Sequence, residues 1–136
     1  MKKIKMTMLA LAAALALPAM AAASNVAVTV QQLAVGGTTA TYTSSGLTTT
    51  DTYQFTNDGR ALLHIKKTGA GAATITVTTQ GTVQGFAIAD VTFTIPATTG
   101  DQFAGPFPAS LFNDSSGLVN FTLSDTVGLS FAALRL

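Results

Sequence analysis

From residue 24 onward, apolar and polar positions alternate in short runs broken by turn residues. Thr74-Ile75-Thr76-Val77-Thr78 is the cleanest case, with Ile and Val pointing one way and Thr the other. A period of two is what a half-buried strand requires. Val26 to Val30 alternates in the same way and Leu33 to Val35 extends it, until Gly36-Gly37 breaks the run. Thr39 to Thr43 predicts a second strand carrying Tyr42, and Tyr53-Gln54-Phe55 a third. Asn57-Asp58-Gly59 then turns the chain, because these residues tolerate positive φ. Strands follow over Ala61 to Lys66, Phe86 to Ile88 and Val91 to Ile95, the last ended by Pro96, which cannot donate to a ladder. Gly105-Pro106-Phe107-Pro108 reads as a rigid connection and Asn113 to Gly117 as a turn. Val119, Phe121 and Leu123 share a face, and Leu129 to Leu136 closes the chain.

Eight or nine strands at roughly ten-residue spacing predict an all-β fold, a single small β-sandwich or jelly-roll-like barrel. No helical period occurs after residue 24. The predicted core is Val28, Val30, Leu63, Ile65, Ile75, Val77, Val91, Phe93, Ile95, Val119, Phe121, Leu123, Leu129 and Phe131.

Residues 1–23 read differently. Lys2, Lys3 and Lys5 precede an apolar stretch from Met6 to Leu17, Pro18 follows, and Ala19-Met20-Ala21 and Ala21-Ala22-Ala23 offer small-x-small cleavage patterns. This is the pattern of a secretory signal, too short for a stable membrane span of about 20 apolar residues. Met20 is also in frame, and a chain begun there would open without a leader. The expected organisation is therefore a leader over 1–23 and an all-β domain over 24–136.

Charge and composition narrow the function. Only 10% of the 136 residues are charged, and there is no cysteine. That excludes a disulfide framework, a thiolate metal site and a cysteine nucleophile. Beyond the leader, four cations (Arg60, Lys66, Lys67, Arg135) face six aspartates, a net charge of −2, which leaves no electrostatic footprint for nucleic acid. The six aspartates lie beside turn residues or at the ends of apolar runs, and read as turn formers.

Candidate chemistry is sparse. His64 is the single histidine, placed mid-strand on the face shared with Leu62 and Lys66. One histidine cannot furnish a zinc site, and no Gly-x-Ser-x-Gly elbow accompanies it. Asn113-Asp114-Ser115-Ser116 lacks the spacing and terminal Glu of a calcium loop. Gly69-Ala70-Gly71 has no following helix or Gly-Lys-Ser/Thr to cradle phosphate. No catalytic, cofactor or metal residue is expected. The basic cluster Arg60, Lys66 and Lys67 flanks His64. It reads as a solvated strand edge that discourages stray pairing, or, with His64, as a contact for an acidic partner protein.

The run Asn57-Asp58-Gly59-Arg60-Ala61-Leu62-Leu63-His64-Ile65-Lys66 resembles a family of short β-rich proteins encoded in the structural gene clusters of tailed phages. The similarity continues through Thr74-Ile75-Thr76-Val77, Gly81 to Asp90, Gly105-Pro106-Phe107-Pro108, Phe112-Asn113-Asp114 and Ala132 to Leu136. The resemblance implies a non-enzymatic virion head decoration or cement subunit that binds the major capsid protein and forms oligomers, often trimers. The leader departs from it, since phage heads assemble without secretion. The alternative expectation is an exported bacterial β-sandwich, secreted or periplasmic, that binds a surface or assembles in the envelope.

Overall fold

Alternation sorts this chain into strands, and a shared apolar face joins the strands into two packed sheets. The computed structural model describes residues 22–136. The leader expected over 1–23 lies outside them, save for Ala22 and Ala23. The strands are β1 (Asn25–Ala27), β2 (Val30–Gln32), β3 (Thr52–Thr56), β4 (Ala61–Lys67), β5 (Ala73–Val77), β6 (Thr82–Val83), β7 (Phe86–Ala87), β8 (Val91–Ile95) and β9 (Gly100–Ala104). A one-turn helix, α1 (Ala109–Phe112), precedes β10 (Leu118–Leu123) and β11 (Leu129–Arg135). The first sheet has five strands in the order β1-β3-β10-β5-β8, the second four in the order β2-β11-β4-β9, and β6-β7 forms a separate hairpin. The expected all-β sandwich is therefore what the chain builds.

Both sheets contribute to one core. Tyr53, Phe55, Ile75, Val77, Val119 and Phe121 come from the first, and Leu63, Ile65, Leu129, Phe131 and Ala133 from the second. Phe131 meets Tyr53 at 5.3 Å and Phe121 at 5.2 Å, both edge to face, a preferred aromatic geometry. At the Asn57 end, Phe107 packs edge-on against Phe112 of α1 at 5.4 Å and against Phe55 at 5.8 Å.

Several expectations need correction. The run from Val26 to Val30 is not one strand. The chain leaves the first sheet after Ala27 and joins the second at Val30, so β1 lies parallel to β3 and β2 parallel to β11. Strands that switch sheets at a bend make the corners of such sandwiches. Leu33 to Val35 forms no strand, and Val35 is fully exposed. Thr39 to Thr43 contributes only an isolated bridge, Thr43 to Phe131. The stretch between Pro96 and Gly105 holds β9, which the sequence reading missed. Of the predicted core, Val91 is exposed, while Val30 and Phe93 are only half-buried. Val91 and Phe93 lie on β8, which among the described residues is an edge strand with a neighbour on one side only.

The turn reading of the aspartates holds for three of the six, each of which accepts a backbone N–H from within four residues: Asp58 from Arg60, Asp114 from Ser116 and Leu118, and Asp125 from Val127. Asp51 and Asp90 accept instead from the distant Ser24 and Thr79 and tie separate segments together, and Asp101 stands on β9.

Candidate functional site

The second sheet has an inner and an outer face, fixed by register. On β4, Ala61, Leu63, Ile65 and Lys67 turn inward and are buried, so Leu62, His64 and Lys66 turn outward. His64 stands opposite Phe103 of β9 and Ala132 of β11, and Lys66 opposite Asp101 and Ser130. Directly paired residues share a face, so the outer face gathers His64, Lys66, Asp101 and Phe103. Tyr42 joins them from the irregular segment before β3. The Thr43–Phe131 bridge fixes that segment on β11 through two backbone bonds of 2.8 and 3.1 Å. Ala132, opposite His64, is small enough to let the tyrosine reach across.

The imidazole is held on every side. Its Nε2 lies 2.6 Å from the Asp101 carboxylate and its Nδ1 lies 2.6 Å from the Tyr42 hydroxyl. With Nε2–H donating to the carboxylate, Nδ1 accepts from the tyrosine, so one neutral tautomer satisfies both bonds. The Phe103 ring stacks on the imidazole at 3.9 Å and 9°. Tyr42 meets it edge-on at 5.5 Å, and the Lys66 ammonium sits 4.8 Å above the tyrosine ring. His64 is only 8% exposed, whereas Phe103 is 66% exposed and the Asp101 side chain 57%. The hydrogen bond from His64, and secondarily the nearby Lys66 charge, hold the Asp101 carboxyl below the usual range against the opposing effect of burial.

This arrangement fixes an aromatic ring and a carboxylate on a rigid sheet. It leaves the imidazole no free nitrogen for a substrate and no open face on the Phe103 side. A cavity of about 340 Å³ beside Thr41 and Thr43 and one of about 320 Å³ beside Asp58 and Arg135 are lined by other residues. No family model, curated protein or solved structure matches the chain.

The sequence-predicted contact residues thus separate. His64 and Lys66 share the patch, as the strand period requires. Arg60 is exposed but stands before the start of β4, beside the Asn57-Asp58-Gly59 turn. Lys67 is a correction: it is 1% exposed, and its ammonium bonds the Asp125 carboxylate at 2.7 Å and the Val127 carbonyl, both in the loop between β10 and β11. It therefore offers no solvated contact. Nor is β4 a strand edge, because β11 and β9 flank it. Tyr42, Asp101 and Phe103 were missed. Asp101-Gln102-Phe103, two polar residues before one apolar, carries no alternation that could have marked the strand.

Among the described residues no helix is long and apolar enough to cross a membrane.

The aspartates also set an acid limit. Hydrogen bonds hold Asp51, Asp101, Asp114 and Asp125 below the ordinary carboxylate value, those from Thr48, His64, Asn120 and Lys67 respectively being the largest causes. A carboxyl depressed in the folded state stabilises the fold above its unfolded pKa of about 3.9, and that contribution is lost as pH falls through the folded value. The urea midpoint is accordingly expected to decline progressively as pH is lowered from about 4 towards 2. A midpoint unchanged down to pH 2 would show these bonds carry no linkage.

Proposed function

We propose that the chain is a non-enzymatic structural subunit that works by contact, in its most specific form a head decoration or cement subunit on a capsid lattice. The patch around Phe103 and Asp101 faces the partner. One observation carries the contact reading: an imidazole fully engaged by Tyr42, Asp101 and Phe103 serves to hold an exposed ring and carboxylate in place. Exposed aromatics fixed on rigid sheets are well suited to anchor interfaces, since little side-chain freedom is lost on binding. The capsid reading draws on the resemblance along Asn57 to Lys66, the strand that carries His64. On a lattice, many weak copies add by avidity.

The test is binding to purified heads that lack this protein. The wild-type chain cosediments with them, and Phe103→Ala, folded as judged by circular dichroism, binds at least about tenfold more weakly. Failure of the wild type to bind would remove the capsid reading. Equal binding by Phe103→Ala would remove the patch.

The leader pattern over residues 1–23 favours the second reading, an exported β-sandwich at the bacterial envelope. Intact mass from the native source separates the two. Cleavage after Ala21 or Ala23 with recovery from the periplasm supports export and counts against a virion role.

A further inference from the structure

Among the described residues, β8 ends the first sheet with nothing hydrogen-bonded to its far side. Every second residue of such a strand turns its N–H and C=O outward, a template for another strand. Protein edges are ordinarily blunted by charge, proline or a bulge. Val91-Thr92-Phe93-Thr94-Ile95 carries no charge, and its proline stands only after it, at Pro96. The other edges differ: β9 carries Asp101, and β1 and β2 are three residues each.

The strand also reads alike in both directions: apolar, Thr, Phe, Thr, apolar. In an antiparallel pair centred on Phe93, Phe93 meets its own copy, Thr92 meets Thr94, and Val91 meets Ile95. Opposed residues in such a pair share a face. Thr therefore meets Thr on the outer face, and apolar meets apolar on the core face. A twofold interface demands this self-complementarity. A shift of one position would set Thr against Phe and forfeit it. Exposure agrees, because Val91 is 43% exposed and Phe93 only half-buried. A second β8 would cover both. Of the seven exposed large apolar side chains among the described residues, three (Val83, Phe86 and Val91) lie on the β6-β7 hairpin and the first residue of the strand it leads into.

We propose that β8 is a self-pairing edge, through which two copies of this chain join their five-stranded sheets into one antiparallel sheet. This goes beyond the contact role above and does not depend on it, since the Phe103 patch lies on the other sheet.

Sedimentation equilibrium of the full chain at roughly 0.1 mM tests it, a concentration suited to a small interface. The wild type is expected to be dimeric. Thr92→Lys with Thr94→Lys sets two like-charged pairs across the twofold axis and weakens association at least about tenfold. Thr92→Lys with Thr94→Glu sets opposite charges there and retains the dimer. Both threonines are exposed, so each variant keeps its fold, which circular dichroism checks. Alternate β8 amides are protected from hydrogen exchange in the wild type and lose that protection in the Lys/Lys variant. A monomeric wild type, a trimer, or a Lys/Lys variant as associated as the wild type would overturn the proposal. Loss of capsid binding with the dimer intact would overturn only the earlier reading.

Discussion

Phe121→Ala is expected to lower the free energy of unfolding by about 3–5 kcal/mol, the usual range for truncating a buried phenylalanine. Phe121 is 0% exposed and contacts Tyr53 at 5.5 Å, Phe55 at 6.0 Å and Phe131 at 5.2 Å. It thus joins three strands, one of them in the opposite sheet. The flanking rings are held by their own strands and cannot collapse into the space left behind, which places the loss high in the range. Domains are stable by only about 5–15 kcal/mol, so thermal unfolding should begin at least about 20 °C lower, at roughly 4–8 °C per kcal/mol. Phe121→Leu keeps most of the volume and should lose much less. Thermal melts followed by circular dichroism decide it. A decrease under about 1 kcal/mol would mean the sheets do not meet through this ring.

Asn57→Ala is expected to be nearly as damaging, about 3 kcal/mol, for a different reason. Asn57 is 8% exposed and fully employed. Its amide donates to the Phe107 carbonyl and to the Asn113 side chain, each at 2.8 Å. Its oxygen accepts from the N–H groups of Gly59 and Ala61, and Asn113 donates back to its carbonyl. Alanine would strand four partners in a largely dry corner, each losing its bond without regaining water. Asn57→Asp keeps the shape but removes both donors and sets a carboxylate against a carbonyl, so it should rescue nothing. Urea titration of the two variants checks this. Recovery by Asn57→Asp would show that only the acceptor matters.

The same residue shows what could be read beforehand. Asn57-Asp58-Gly59 announces a turn, and Gly59 takes a φ of +88°. That Asn57 also ties this turn to Phe107 and Asn113, some fifty positions along the chain, is a tertiary fact with no local sign. Alternation gave β4, β5, β8, β10 and β11 because each has one face in the core. It failed at Val28-Thr29, where the rhythm continues while the pairing partner changes. Alternation reports contrast between oil and water, and is silent on which strand lies alongside. Val91 alternates as well as Ile95 does, yet the edge leaves it exposed. Tyr53 and Phe55 were passed over as core because Thr and Gln surround them in a short run. His64 and Lys66 were legible by strand period. The same period, applied one residue further, puts Lys67 with Leu63 and Ile65 on the inner face. Tyr42, Asp101 and Phe103 reach the patch only through pairings distant in sequence.

The crossing of the N-terminal segment between sheets bears on how the molecule is made. Val30 pairs with Ala133, and Gln32 with Arg135, about a hundred positions apart. The longest strand contact of β4 is also with β11. A strand made about a hundred positions later is thus the seat for an early one. Until it emerges, β4 waits without its principal neighbour and the opening segment has only half its moorings. Assembly dominated by such distant pairings is slow, so the nascent chain must keep its apolar strands from other partners until β11 has emerged.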